Sequence, residues 1–241
     1  MLNFIGTGSA FNTSLGNNNA YIKKGESLLL IDCGSSTFAK IQERNLLEGV
    51  KSVFVLMTHT HPDHVGSLGD LIFYGYYAMG EVGERNVTVI APEDLHIEKV
   101  LNTVGVKRET YFYYPSDEGA HTWMSNFSIM IEPVKVNHVE ELNCYGYIIR
   151  HKEDAIYYSG DANEIPKRIL DRLNTGMFDL FYQDTCKADY DGNVHLSLRK
   201  LTKLVKPEYR KRVFCMHLDN GFNIEEAKEL GFNVVSSTEK V

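Results

Sequence analysis

At 241 residues with 43% hydrophobic side chains, the chain is long enough to bury a substantial core, and a single domain over 1–241 is expected. A formal charge of −7 makes the surface a poor match for a long polyanion, whose affinity rests on many Lys and Arg contacts to phosphates. Long nucleic acid is therefore excluded as an expected partner, and any nucleotide ligand should be small. No stretch approaches membrane-spanning length, so no membrane partner is expected, and the start lacks the basic-then-apolar pattern of an export signal. Cys33, Cys144, Cys186 and Cys215 are too scattered for a disulfide framework or a zinc knuckle; reduced core thiols in a cytoplasmic protein are the expectation.

Apolar runs bounded by turn residues predict strands over 2–6, 19–24 and 28–32, then a helix over 36–46. A strand over 53–57 precedes a helix over 65–79, and a strand over 87–91 precedes a helix over 93–103. Strands over 127–136, 145–150 and 155–158 follow. The chain then alternates: helix 164–173, strand 178–182, helix 196–205, strand 211–216, helix 223–230. This order suits sheets with helices packed outside them, which several α/β folds share. Two aromatic runs stand out, Tyr74, Tyr76 and Tyr77 on a helix and Tyr111-Phe112-Tyr113-Tyr114 in a predicted loop. Core or dimer packing is their first reading, and stacking on a nucleobase in a partner's cleft the second.

Chemistry separates the candidate folds. Residues 53–64 read Val-Phe-Val-Leu-Met-Thr-His-Thr-His-Pro-Asp-His, a buried strand ending in His59, His61, Asp63 and His64. Ligands in α/β proteins sit on loops beyond strand carboxyl ends, where a rigid strand fixes their position. Side chains at 59 and 61 project together, while 63 and 64 face a second point once the chain bends. A lone histidine is usually a surface or satisfied core residue; four such groups in one short loop point to a metal. His138, Asp161 and His217 each follow an apolar run in the same way. Imidazole and carboxylate are the ligands that zinc accepts besides thiolate.

The pattern His-x-His-x-Asp-His, followed by a lone His, Asp and His at strand ends, resembles the metallo-β-lactamase superfamily over nearly the whole chain. The resemblance implies an α/β, four-layered αββα sandwich with two metals at one edge. By it, His59, His61 and His138 hold one metal, Asp63, His64 and His217 the other, and Asp161 bridges them; Asp32 supports the ligand loop from behind. Two Zn2+ are the implied cofactors, although the same donors accept Mn2+ or Fe2+. Phe4-Ile5-Gly6-Thr7-Gly8-Ser9, Tyr145-Gly146-Tyr147, Ser159-Gly160-Asp161 and the Asn193-Val194-His195 segment resemble the ribonuclease Z group of phosphodiesterases. That group carries an RNA-gripping arm between its lone His and its bridging Asp, and too few residues lie between His138 and Asp161 to hold one. Compact armless relatives, among them phage anti-Pycsar proteins that destroy cyclic pyrimidine nucleotide signals, are the nearer resemblance, carried by size and by Asp184-Thr185-Cys186 leading to Asn193 and His195.

The implied activity is hydrolysis of small phosphodiesters, 3′,5′-cyclic nucleotides above all, by a homodimer. Asp63 would orient the attacking water and take its proton, and His195 would protonate the leaving ribose oxygen. Backbone donors of Thr7, Gly8 and Ser9 could line the phosphate, or the segment could be a tight structural turn. The rivals are a ribonuclease Z-like RNA-processing nuclease and an acyl or lactone hydrolase on the same fold, with a di-iron redox carrier or an inactive metal module outside the hydrolases. His195 argues against acyl chemistry, and His61 with His64 against the redox branch, which replaces one of them with a carboxylate.

Overall fold

A computed structural model of the chain describes residues 2–238. Its first sheet runs, in spatial order, through β1 (Asn3–Gly6), β2 (Asn19–Lys24), β3 (Ser27–Ile31), β4 (Ser52–Leu56), β5 (Val87–Ala91) and β6 (Phe112–Pro115). The first three strands pair antiparallel and the rest parallel. The second sheet is again consecutive: β7 (Thr122–Met124), β8 (Ile129–Val136), β9 (Cys144–His151), β10 (Asp154–Tyr158), β11 (Leu180–Asp184), β12 (Val213–Met216) and β13 (Asn233–Val234). It is antiparallel as far as β10 and parallel beyond. Parallel pairing requires crossovers. These carry α1 (Thr37–Glu43), α2 (Pro62–Val65), α3 (Leu68–Tyr77) and α4 (Ile97–Thr103) in the first half, and α5 (Lys167–Leu173), α6 (Leu198–Leu204) and α7 (Ile224–Glu229) in the second.

Alternation along the strands sorts side chains into three apolar layers. Leu28, Leu30, Val53 and Val55 pack outward against Ile41 of α1 and Leu71 of α3. Leu29, Ile31 and Leu56 face inward onto Ile131, Tyr147 and Tyr158 of the second sheet. Tyr157, Phe181 and Val213 face outward again, onto Ile169 of α5 and Leu201 of α6. The result is four layers, helix–sheet–sheet–helix, as the resemblance implied. Truncating a fully buried inter-sheet residue such as Leu29 should cost about 2–5 kcal/mol.

Several predicted elements change form. The helix over 65–79 is α3 alone, and Gly66 and Ser67 separate it from the short α2 that holds part of the ligand loop. The helix over 93–103 opens as a 3-10 turn, Glu93–Leu95, and is interrupted by His96 in the left-handed region (φ 50°) before α4. The predicted loop at Tyr111–Tyr114 is largely the edge strand β6, paired with β5 from Thr88↔Phe112 to Ala91↔Pro115. Four consecutive aromatics carry no period, which hid it; Tyr111 is buried, whereas Phe112 and Tyr114 are exposed. β7 and β13 are too short to give a sequence signal. The cysteines are buried and unpaired, and no helix among the described residues is long and apolar enough to cross a membrane.

Candidate metal centre

Strand ends from both sheets meet at one edge of the sandwich. His59 lies just beyond β4, and His61 caps α2, whose Pro62 start turns Asp63 and His64 toward the same point. This loop rests on the turn after β3: Cys33 donates its backbone N–H to the His64 carbonyl (2.7 Å) and Ser35 to that of Pro62 (3.1 Å). Gly34 permits that contact, since a Cβ there would stand 1.8 Å from the Asp63 carbonyl oxygen. Asp32, held at φ 67°, accepts from the Thr58 N–H and hydroxyl and from His64 Nδ1, each at 2.8 Å. Asn19 braces its backbone carbonyl. His138 follows β8, Asp161 follows β10 through Gly160 (φ 61°), and His217 follows β12 at φ 58°. Left-handed backbone at two non-glycine residues costs energy and persists because the surroundings over-determine it.

Backing groups fix the ring tautomers. His138 Nδ1 can only donate to the Val194 carbonyl (2.8 Å), and His64 Nδ1 donates to Asp32. The Thr58 hydroxyl gives its proton to Asp32 and so accepts from His59 Nδ1 (3.0 Å). Each of these histidines therefore turns an Nε2 lone pair to the centre. His59 Nε2 and His138 Nε2 lie 3.0 Å and 3.2 Å from His61 Nδ1, and 3.8 Å each from Asp161 Oδ2. His64 Nε2 lies 3.4 Å from Asp63 Oδ2, and His217 Nε2 lies 3.3 Å from both Asp63 Oδ2 and Asp161 Oδ2. A tetrahedron of roughly 2.1 Å metal–ligand bonds has edges of about 3.4 Å, so both spacings fit a cation. His64 Nε2 and Asp161 Oδ1 are buried without a hydrogen bond, although 3.2 Å apart. Converging lone pairs and orphaned buried atoms are costly unless a cation or protons lie between them. Three four-donor groups converge: His59, His61, His138, Asp161; Asp63, His64, Asp161, His217; and Asp161, Asp184, His195, His217, in the last of which His195 and Asp184 are already bonded to each other.

Electrostatics differ between the first two groups. Burial pushes His59 and His61 below the ordinary imidazole value. Burial acts the same way on His64 and His217, yet carboxylates override it: Asp161 and Asp32 hold His64 well above the ordinary value, and Asp161 with Asp184 raises His217 to about 10. Burial would raise Asp63 and Asp161. Hydrogen bonds from His217 and His64 keep Asp63 far down, and the charges of His217 and His64 do the same for Asp161.

A cleft of about 630 Å³ opens over these donors, lined on its deep side by His61, Asp63, His138, Asp161 and His217. His195 enters it from the loop before α6, its ring stacked on His217 with centroids 4.9 Å apart. Asp184 accepts from His195 Nδ1 at 2.7 Å, leaving Nε2 to meet a ligand. Burial opposes the charge of His195, but Asp184 outweighs it and raises the imidazole above its ordinary value. Asp184 itself escaped the sequence reading as a site residue, although it ends β11 as Asp161 and His217 follow β10 and β12. The Thr7–Ser9 segment is a structural turn: its N–H groups are spent on Leu15, Gly16 and Leu218 carbonyls, so none is free for a phosphate. Neither aromatic run lines the cleft of its own chain.

A metal-ligating edge of this make-up on a helix–sheet–sheet–helix sandwich defines a metallo-β-lactamase-fold protein. The metallo-β-lactamase fold protein YhfI from Bacillus subtilis superposes with a TM-score of 0.75 at 18% identity, covering 99% of this chain and 96% of that one. A new diphosphatase from the PhnP family gives 0.76 at 19%, covering 100% and 96%. A family model described as anti-Pycsar protein Apyc1 matches residues 1–240, and the chain belongs to that family. The anti-Pycsar protein Apyc1 of Bacillus phage vB_BsuM-Goe3 is 29% identical over 246 residues, 93% of this chain and 90% of the relative.

Proposed function

We propose that the chain is a two-zinc phosphodiesterase that opens 3′,5′-cyclic nucleotides to linear monophosphates, cyclic CMP and cyclic UMP foremost, in phage evasion of Pycsar defence, and that it acts as a homodimer. The observation that carries this reading is the cleft: members of both donor groups, His61, His138, Asp63, Asp161 and His217, line it, and no lysine or arginine is among its described lining residues. Affinity for an anion must then come from cations at the floor and from the His195 imidazole beside them, which suits one phosphodiester and gives little grip on a chain of phosphates. Supporting it, the segment between His138 and Asp161 is consumed by the tight β9–β10 hairpin, with no room for an RNA arm.

Divalent cations held there would polarise a phosphoryl oxygen and lower the pKa of water toward neutrality. His59, His61 and His138 would hold one, Asp63, His64 and His217 the other, with Asp161 between them. Asp63 orients the attacking water and takes its proton. His195, whose imidazole Asp184 raises above its ordinary value, gives its Nε2 proton to the departing ribose oxygen.

The test is to incubate zinc-loaded protein separately with the cyclic monophosphates of cytidine, uridine, adenosine and guanosine, with precursor transfer RNA, and with a lactone and a thioester, and to resolve the products. Linear nucleotides formed with EDTA inhibition are expected. Survival of all four nucleotides beside efficient cleavage of RNA, lactone or thioester overturns the reading.

A further inference from the structure

Phe11 is 86% exposed, the highest value among the large hydrophobic side chains of the described residues, and it stands at the wall of the cleft. A phenyl ring in water forfeits the free energy that burial would give it, so such a placement asks for an explanation. Its loop is firmly anchored. Ser9 N–H donates to the Leu218 carbonyl (3.0 Å), Asn12 Nδ2 donates to the same carbonyl (3.0 Å), and the Phe11 carbonyl accepts from Asn220 Nδ2 (3.2 Å). The Ser9 and Phe11 backbone and the Asn12 side chain thus tie the loop to the segment that follows His217, while the Phe11 ring packs against almost nothing.

We infer that Phe11 is the platform on which the substrate's nucleobase stacks, and so a residue that determines specificity for nucleotides over other phosphodiesters. The inference rests on the cyclic-nucleotide reading and names the part of the substrate that reading leaves unassigned. With the phosphate on the donor floor, the ribose lies between Asn17, Ser35 and Ser36, which are neutral and polar. The base must then leave toward the mouth. Phe11 is the one Phe, Tyr or Trp among the described lining residues, and an aromatic face on an anchored loop loses little entropy when a base covers it. Stacking tolerates every base because each has a π-face, so Phe11 accounts for recognising that a base is present; which base is preferred falls to polar groups nearby.

The test compares wild type, Phe11→Ala and Phe11→Trp, all zinc-loaded, on cyclic UMP, cyclic AMP and 1-deoxyribose 3′,5′-cyclic phosphate, which has no base. Phe11→Ala should raise KM for both nucleotides by about one to two orders of magnitude with kcat little changed. The base-free ester should be hydrolysed equally by all three proteins, and Phe11→Trp should restore the nucleotide KM. Melting temperature and zinc content should stay at wild-type values, since the ring is scarcely buried. An unchanged nucleotide KM, an equal loss on the base-free ester, or a changed oligomeric state with KM intact overturns the role of Phe11 while hydrolysis stands. Wild type that cleaves neither the nucleotides nor the base-free ester overturns the function on which the inference rests.

Discussion

The two donor groups use the same side chains against different backgrounds. His59 and His138 lean on neutral groups, the Thr58 hydroxyl and the Val194 carbonyl, whereas His64 donates directly to the buried Asp32 carboxylate and His217 lies 3.5 Å from that of Asp184. A carboxylate behind an imidazole makes its other nitrogen a stronger donor to a metal and a stronger base toward a proton. Burial lowers His59, while the carboxylates around them raise His64 and His217. The second group should hold its cation more tightly at neutral pH, yet lose it sooner to protons on acidification.

Removing what the two groups share should produce the largest effect. In Asp161→Ala the anion between two cations is gone, so both sites should lose zinc and hydrolysis should fall to background. Elemental analysis beside turnover checks this, and full occupancy with wild-type turnover would refute a shared ligand. Next comes the group standing on the carboxylate-backed side. His195→Ala should keep zinc and fold but lose roughly two to four decades of turnover on cyclic nucleotides, and far less on an activated nitrophenyl ester that departs without a proton. Equal losses on both would assign His195 to binding.

The contrast between the backgrounds is sharpened by two milder substitutions. Asp32→Asn should weaken the second cation by about 10- to 100-fold, whereas Thr58→Val, which strips the hydroxyl behind His59, should act mainly on the first. Competition titrations with a zinc-sensitive dye separate the two steps; identical effects on both would erase the distinction. The smallest effect is on stability. In chelator-treated protein the proton on His217, raised to about 10 from an ordinary 6.5, contributes stability that is fully present below 6.5 and lost as pH rises through about 10. Asp63 and Asp161, lowered from 3.8, contribute above that value and lose it on acidification. Stripped protein should thus melt progressively lower between pH 6.5 and 10, by roughly 2–4 °C per kcal/mol lost, and metal-loaded protein should not, because the cation has already displaced the proton.

By itself the sequence determined that His59, His61, Asp63, His64, His138, Asp161 and His217 lie on segments that follow buried strands, because such strands announce themselves by local apolar runs and polar residues past them are conspicuous. That local signal, with the family resemblance, carried the fold class and the candidate donors. Asp184 remained hidden because its role depends on His195 and His217, which reach it only when β11 and β12 lie side by side and the loop before α6 folds over them. Nothing local distinguishes the Thr7–Ser9 turn from a phosphate cradle; the Leu218 carbonyl, more than two hundred residues away in sequence, occupies one of its donors. β6 is not legible in the sequence because only pairing with β5 makes four adjacent aromatics a strand. Tertiary structure alone decided which rings are backed by carboxylates and where Phe11 stands over the cleft, since each is set by how the two sheets stack and no local run of residues encodes a distance across them.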